Sequence, residues 1–307
     1  MRTLFLVSLL LVTACSLPDT QQGPTPGAPT FDGRKAMALV DTQVAFGPRV
    51  PGMPGHAAQA AWMIARLDSV ADAVQVDTFA HQLPTGETLH LTNVLAKFRP
   101  RQTRRILFLT HWDTRPQADQ DPDSANRDKP IPGANDGGSG TAVLLELADL
   151  LADTAPPMGI DLLFVDGEDY GPGTNEMFLG AERYANRLDS ASRPIYGVLL
   201  DMVGDADPDF PVEQNSASAA RIVVNKFWNA AARLGYEKYF PDRVGPSLYD
   251  DHIPLLQAGL PTIDVIDFQY GPGNRYWHTL QDTPEHMSAS TLGMVGQVVV
   301  ELIYSGG

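Results

Sequence analysis

Four short runs of mainly apolar residues stand out along the chain: Arg105–Thr110, Ile160–Val165, Tyr196–Leu200 and Pro261–Ile266. Runs of this length are typical of strands that are covered on both faces, as they are in a parallel sheet. We therefore predict four buried strands.

Helical spacing of apolar residues fills the intervals around these runs. The segments that show it are Arg34–Ala45, His56–Leu67, Thr141–Ala152, Glu176–Leu188, Ala217–Leu234, Ile253–Ala258 and Ser288–Tyr304. Alternating apolar residues at 74–79 and 89–96 predict a hairpin or a pair of edge strands. Strands that alternate with helices indicate an α/β fold, here a three-layer sandwich in which helices flank a mostly parallel, mixed central sheet.

The first 14 residues read as a targeting segment, with a positive charge at Arg2 and an apolar run too short to span a bilayer. Small residues precede Cys15, the only cysteine, which resembles the lipid-attachment site of bacterial lipoproteins. We predict a signal peptide at 1–14, a flexible tether at 15–30 and a single folded domain at 31–307. The protein is then exported and lipid-anchored at the cell envelope; an ordinary signal peptide with an incidental cysteine is the alternative.

The composition is that of an acidic globular protein. Of the 307 residues, 43% are hydrophobic, which is enough to bury a full core. The formal net charge is −15 and the pI is near 4.7, so a phosphate backbone would be repelled and nucleic acid is excluded as a partner. Neutral and cationic peptides are compatible with this surface.

Ionisable side chains follow the predicted strands at their carboxyl ends. His111 follows the first run, Glu168 and Asp169 follow the second, and Asp201 follows the third. In open α/β sheets, ligand sites lie beyond this edge. His278 comes after the last strand and a Gly/Pro-rich loop, so it can fold back to the same edge.

Carboxylates and an imidazole at this edge indicate a metal site. Glu168 and Asp169 are adjacent and would repel each other unless a cation or a proton intervenes. Asp136 lies in the glycine-rich turn Pro132–Gly140, where a helix cap is the alternative interpretation. Because three protein ligands with one open position are typical of catalytic zinc, we predict that Asp136, Asp169 and His278 hold the metal.

Glu168 is the predicted proton carrier, since it neighbours a ligand without being one itself. Asp201 and Asp250 follow other elements of the same edge, and either could share a proton with Glu168 and raise its pKa. A solvated surface position is the alternative for both aspartates. The chain has no Gly-x-Ser-x-Gly or His-Glu-x-x-His motif, so the sequence does not support a serine hydrolase or a metalloprotease of the His-Glu-x-x-His type.

The order of these residues resembles that of a known family. The motifs that are similar to zinc aminopeptidases of the M28 type are His111-Trp-Asp113, Gly133-Ala-Asn-Asp136, Asp166-Gly-Glu168-Asp169, Leu200-Asp201 and Trp277-His278-Thr279. The segment Asp250-Asp251-His252-Ile253-Pro254 and the Trp277 triplet, with Asp282 behind it, resemble the glutaminyl-peptide cyclotransferase branch. The resemblance covers roughly residues 90 to 290.

This resemblance implies one catalytic zinc per chain, held by Asp136, Asp169 and His278. The implied reaction converts the N-terminal glutamine of peptides or proteins to pyroglutamate and releases ammonia. The second ligand is often Glu in the family, whereas Asp169 is one methylene shorter, so its loop must approach the ion more closely.

The resemblance also implies roles for the neighbouring residues. Glu168 is the expected general acid/base, Asp201 and Asp250 are its expected hydrogen-bonding partners, and Trp277 lines the substrate pocket. Animal members carry a second tryptophan in the loop after the acidic pair, and the stretch Tyr170–Phe178 has none.

Two other functions are weighed against this one. In a two-zinc aminopeptidase of the same superfamily, His111 and Asp201 would bind a second metal and Asp136 would bridge the two ions. The Asp250 motif disfavours this, because it would orient Asp201 toward Glu168. The other alternative is a surface-tethered binding protein that keeps the fold without catalysis, which the intact set of ligands and acids disfavours.

Overall fold

The computed structural model describes residues 23–189 and 192–307. The predicted signal peptide, Cys15 and the tether up to residue 22 lie outside the described residues. The six strands of the described part are β1 Ala73–Gln82, β2 Thr88–Phe98, β3 Arg105–His111, β4 Gly159–Val165, β5 Gly197–Asp201 and β6 Thr262–Ile266.

The strands form one mixed sheet in the order β1-β2-β4-β3-β5-β6. Strands β4, β3, β5 and β6 run parallel, and they are the four predicted apolar runs. The predicted hairpin β1–β2 continues the sheet through antiparallel pairing of β2 with β4. His111 lies opposite Val165 and Asp201 lies opposite Ile266, so the carboxyl ends of the parallel strands are level.

Helices cover both faces of this sheet. They are α1 Gly33–Ala45, α2 Pro54–Val70, α3 Gly138–Asp153, α4 Leu179–Ala185, α5 Gln214–Ala219, α6 Arg221–Arg233, α7 His252–Gln257 and α8 Ala289–Tyr304. Successive side chains of a strand point to opposite faces. Ile106 and Phe108 accordingly pack in the large core with α1, α3, α6 and α8, whereas Leu107 and Leu109 pack beneath α4 and α7. The predicted three-layer sandwich is confirmed.

Two predicted helices differ from the structure. The segment 176–188 is helical only over α4. This helix begins after Phe178, whose left-handed backbone with φ 60° a helix interior does not accept, and it ends at Ala185. The segment 217–234 is two helices, since Ala220 has φ −134° and ψ 34° and interrupts the helical backbone between α5 and α6.

The described end of the predicted tether packs against the folded domain. Thr25 donates hydrogen bonds from its backbone nitrogen and its hydroxyl to the buried carboxylate of Glu301 on α8, at 2.8 and 2.9 Å. Arg233 on α6 donates to the same carboxylate at 2.8 Å. The packed structure therefore begins before residue 31. Among the residues described, no helix is both long and apolar enough to cross a membrane.

Candidate active site

A cavity of about 160 Å³ lies at the carboxyl edge of the sheet. All of the predicted site residues line it: Asp136, Glu168, Asp169, Asp201, Asp250, Trp277 and His278. Glu168 and Asp169 follow β4, and Asp201 is the last residue of β5. Asp136 lies in the turn before α3, and His278 lies in the loop after β6. The rule that sites form beyond strand ends therefore located the residues, while their chemical roles stay predictions.

Asp136, Asp169 and His278 are arranged as a metal-binding group. Each offers a ligand atom within 4.8 Å of the others. His278 Nε2 lies 3.6 Å from Asp136 Oδ2 and 3.5 Å from Asp169 Oδ1. Oδ2 of Asp169 is buried and has no hydrogen-bond partner within the described part of the chain. Two carboxylates, an imidazole and an unpartnered buried oxygen are the donor set that suits zinc.

The imidazole of His278 is held from its far side. Its Nδ1 donates to Asp119 Oδ1 at 3.2 Å, which leaves Nε2 directed at the two aspartates. The ring of Trp277 stacks on it with centroids 3.8 Å apart. A carboxylate behind a ligating histidine fixes its tautomer and orientation in metal sites.

Arg115 contacts both Asp119 and the metal-binding carboxylate of Asp169. Its Nη1 donates to Asp169 Oδ1 at 2.6 Å, and its Nε donates to Asp119 Oδ1 at 3.1 Å. Sequence reasoning missed both Arg115 and Asp119. Their spacing of four residues was a weak signal, because they lie in an irregular loop with no helical pattern to give it meaning.

Two further aspartates hold the backbone under the site. Asp113 accepts from the backbone nitrogens of Glu168 and Asp169 at 3.1 and 3.2 Å. Asp282 accepts from the backbone nitrogen of Asp136 at 3.2 Å and from that of its neighbour Asn135 at 2.8 Å. Both acids appear in the sequence motifs, although neither was assigned a role.

The turn before α3 explains why glycines surround Asp136. Gly137 has φ 78°, and a Cβ there would lie 2.4 Å from the carbonyl oxygen of Asp113. Gly137 is also the N-cap residue of α3, and no side chain caps that end. The alternative interpretation of Asp136 as a helix cap is therefore wrong, and its carboxylate faces the cavity.

Glu168 belongs to a group of buried acids. Burial raises its pKa well above the usual range, and the charges of Asp169 and Asp250 add to the shift. Burial also raises the pKa of Asp201, and it raises that of Asp250 to about 7. These acids hold protons more tightly than solvated carboxylates do. Direct hydrogen bonds from Glu168 to Asp201 and Asp250 stay a prediction.

Two more buried acids lie behind this group, and sequence reasoning missed them. Asp251 and Asp264 are fully buried, and neither carboxylate has a hydrogen-bond partner among the described side chains and backbone. Burial raises the pKa of both well above the usual range. Asp264 had a readable signal, since an acid inside the apolar run of β6 is unusual.

His111 forms a second group with Asp136 and Asp201. Its Nε2 donates to Asp201 Oδ1 at 3.1 Å and lies 3.3 Å from Asp136 Oδ1. Atoms of these three residues also lie close enough together to hold a metal ion. The Nδ1 of His111 has no hydrogen-bond partner among the described residues, so no hydrogen bond holds this ring from its far side as Asp119 holds His278.

Unusual backbone conformations cluster around the cavity. Phe178, Met202 and His278 line it and have φ of 60°, 48° and 52°. Left-handed backbone is strained for such residues and is retained where the surrounding structure enforces it, often at functional sites. These strained positions set the wall of the cavity, and no local sequence pattern predicts them.

Comparison with known proteins agrees with this geometry. Residues 93–303 match the model of peptidase family M28. This chain belongs to peptidase family M28. The match spans β3 to α8 and so includes every site residue described above.

The M28 relatives include glutaminyl cyclases. The structure of Bacteroides thetaiotaomicron glutaminyl cyclase bound to N-acetylhistamine is 36% identical, with a TM-score of 0.87, and covers 92% of this chain and 100% of that one. Glutaminyl-peptide cyclotransferase of Bos taurus is 26% identical over 287 residues, which is 82% of this chain and 76% of the relative. The resemblance stated from the motifs is confirmed.

A solved exopeptidase structure is about as similar to this chain. A Zn-dependent exopeptidase from Parabacteroides distasonis ATCC 8503 is 37% identical, with a TM-score of 0.86, and covers 91% of this chain and 99% of that one. The family and the fold therefore follow from similarity, whereas the choice between cyclisation and peptide cleavage depends on the site.

Proposed function

We propose that this protein is a zinc-dependent glutaminyl-peptide cyclotransferase, which converts the N-terminal glutamine of peptides or proteins to pyroglutamate. The observation that supports this most is the arrangement of one small cavity. The metal-binding group of Asp136, Asp169 and His278 lines it together with Glu168 and Asp250.

Asp136, Asp169 and His278 would hold the zinc, which would supply a Lewis acid for the γ-carbonyl of the glutamine. Glu168 accepts a proton from the α-amine while the amine nitrogen bonds to the δ-carbon. It then passes this proton to the amide nitrogen as the carbon–nitrogen bond breaks and ammonia leaves. The product is a five-membered lactam ring, and no water is consumed.

The buried acids suit Glu168 to this transfer. A general acid/base works best when its pKa lies near the working pH, and burial raises the pKa of Glu168 in that direction. Asp250, whose burial raises its pKa to about 7, shares the proton with Glu168 in our proposal, and Asp201 takes part in the same sharing.

The cavity suits an intramolecular reaction. Its volume of about 160 Å³ accommodates a single side chain with its amine. The rings of Trp277 and Phe268, 5.0 Å apart, supply an apolar wall. Confining the amine beside the amide carbon removes much of the entropic cost of the reaction, because both groups belong to one residue.

A two-zinc exopeptidase is the second candidate function. The group of His111, Asp136 and Asp201 favours it, because these residues could hold a second ion beside the first. The similarity of this chain to the Parabacteroides exopeptidase supports the same function. The far side of the His111 ring weighs against it, since its Nδ1 has no hydrogen-bond partner among the described residues, whereas a ligating histidine usually has one.

Matched peptides that begin with Gln or with Leu separate the two functions. We expect the Gln peptide to lose one ammonia in mass spectrometry and the Leu peptide to stay intact. Release of free leucine together with an unmodified Gln peptide would contradict the proposal. No turnover of either peptide would favour a binding protein that keeps the fold.

We further propose that the protein is exported and anchored to the membrane through lipidated Cys15. The support is the leader pattern of the sequence, which lies outside the described residues. A Cys15→Ser variant should move from the membrane fraction to the soluble fraction. Unchanged membrane association in that variant would contradict the anchor.

A further inference from the structure

A second cavity adjoins the catalytic one. It measures about 210 Å³ and shares three wall residues with the catalytic cavity: Leu248, Ile266 and Phe268. Cavities for drug-sized ligands generally measure ~300–1,000 Å³, so this volume suits one side chain better than a whole ligand.

The two cavities are lined by the same two segments of the chain. Residues 246–250 and 266–269 each contribute to both: Pro246, Asp267 and Gln269 line only the second cavity, whereas Tyr249 and Asp250 line only the catalytic one. Each residue of an extended peptide advances by at most ~3.6 Å. The second cavity is therefore within reach of the residue that follows a glutamine bound in the catalytic cavity.

Carboxylates outnumber cations around the second cavity. Asp209, Glu213 and Asp267 line it, against the single guanidinium of Arg243. Burial raises the pKa of Asp267 to about 7, so the other two carboxylates carry most of the negative charge at neutral pH. Glu213 is buried and accepts hydrogen bonds from the backbone nitrogens of Ser216 and Leu248. Burial opposes its ionisation, but the contact with His252 and these hydrogen bonds lower its pKa to about 2, so its negative charge persists at neutral pH.

Asp209 is the carboxylate most accessible to a ligand. Arg243 donates a hydrogen bond to its Oδ2. The side chain of Asp209 is 44% exposed and that of Arg243 is 53% exposed. An ion pair with this exposure is weak, so a second cation can approach the same carboxylate. Asp267, in contrast, is buried and uses both oxygens to accept from the backbone of Asp209 and Gln269, at 2.9 and 3.0 Å, which holds the rim in place.

The remaining wall is apolar. Pro211, Pro246 and Leu248 line the second cavity beside these charges. Lys and Arg side chains bury their methylene stems on such surfaces while the charged head reaches polar groups. Apolar walls that lead to an exposed carboxylate therefore match a long basic side chain.

We propose that the second cavity binds the side chain of the residue that follows the N-terminal glutamine, and that it selects Lys or Arg at this position. The inference rests on the proposed function, since it concerns the substrate of the same catalytic cavity. It assigns a substrate class: peptides that begin Gln-Lys or Gln-Arg.

The test measures kcat/KM for Gln-Lys, Gln-Leu and Gln-Glu peptides of otherwise identical sequence, with L-glutaminamide as a substrate that lacks a second residue. The wild-type protein should prefer Gln-Lys over Gln-Glu. Asp209→Asn should lower this ratio about three- to fivefold, as expected for a partly exposed charge pair, and added salt should lower it further.

Asp242→Asn is the matched control. Asp242 precedes Arg243 in the chain, is 82% exposed and pairs with Arg221 outside both cavities, so its loss changes the net charge equally. This control should keep the wild-type ratio. Equal ratios for the wild-type protein and Asp209→Asn, an equal fall in Asp242→Asn, or a wild-type preference for Gln-Glu would each overturn the subsite.

Failure of the underlying function gives a different result. If the wild-type protein cyclises neither L-glutaminamide nor any Gln peptide, the proposed function is wrong and the subsite assignment fails with it. If it cyclises L-glutaminamide but treats the three peptides alike, cyclisation stands and only the subsite is overturned.

Discussion

Two groups of potential metal ligands share Asp136, and the structure supports them differently. In the first group, with Asp169 and His278, Nδ1 of the imidazole donates to Asp119 and Nε2 faces the carboxylates. In the second, with Asp201, Nε2 of His111 also faces two carboxylates, but its Nδ1 has no hydrogen-bond partner among the described residues. Ligating histidines in metal sites use one nitrogen for the metal and the other for a supporting acceptor. Only the first group has this arrangement.

The surroundings of the two groups differ in the same way. Behind the first group, the guanidinium of Arg115 neutralises charge near Asp169. Behind the second lie the buried acids Asp250, Asp251 and Asp264, with raised pKa values. A cluster of carboxylates without cations is stable only when some of them are protonated. Burial also raises the pKa of Asp169 in the first group to about 7, but there a guanidinium nitrogen lies 2.6 Å from the carboxylate. We therefore propose that the first group binds the metal and that the acids behind the second hold protons.

The largest expected effect separates proton transfer from metal binding. Glu168→Gln removes the proton carrier and leaves the three ligands of the first group, so zinc should stay bound while kcat falls by ~10²–10⁴-fold. Metal analysis and single-turnover kinetics on the same sample check both parts. A variant with near-normal kcat would mean that another group carries the proton.

A matched pair of histidine variants tests the comparison directly. His278→Gln should weaken zinc binding by more than ~100-fold, because losing even a supporting residue behind a ligand costs ~10–100-fold. His111→Gln should keep one tightly bound zinc, since the first group is intact. The measurement is zinc affinity by competition with a chelator, and equal losses in the two variants would contradict the distinction.

Changing Asp119, the hydrogen-bond partner of His278, should have a smaller effect on zinc affinity than changing His278 itself. Asp119→Asn leaves an oxygen acceptor but removes its charge, so we expect zinc affinity to fall by ~10-fold, the lower end of the range for such residues. Asp128→Asn, an exposed acid in the same loop, is the control and should bind zinc normally. If Asp119→Asn matches this control, Asp119 does not orient the ligand.

The smallest expected effect is on how the free energy of unfolding depends on pH, through the buried acid Asp264. Burial raises the pKa of Asp264, so the folded protein keeps a proton that the unfolded chain releases near pH 4. Its contribution to the free energy of unfolding is complete below that pH and is lost as the pH rises toward the raised pKa. Asp264→Asn should therefore lose less stability than the wild-type protein between pH 4 and 8, as measured by urea unfolding. Parallel profiles would exclude a buried protonated Asp264.

The sheet and the cavity were readable from the sequence for a physical reason. Strands buried on both faces must be continuously apolar, so the four runs identified the parallel strands without any knowledge of their partners. The carboxyl ends of parallel strands meet at one edge, which placed Glu168, Asp201 and His278 together. Both inferences use local patterns that topology then combines.

What the sequence did not predict depends on contacts between distant segments. Phe178, which lines the cavity, has a left-handed backbone that delays the start of α4, and Asp119 supports a histidine 159 residues further along the chain. The burial of Asp251 also depends on packing around α7 that no local pattern encodes. Thr25 belongs to the folded domain only because Glu301 is there to accept from it.

The number of zinc ions in the active protein tests the central claim most directly. We predict one zinc per chain, by elemental analysis of purified protein that cyclises Gln peptides, because the group of Asp136, Asp169 and His278 binds the metal and the His111 group holds protons. Two tightly bound zinc ions per chain, with both required for turnover, would contradict this account.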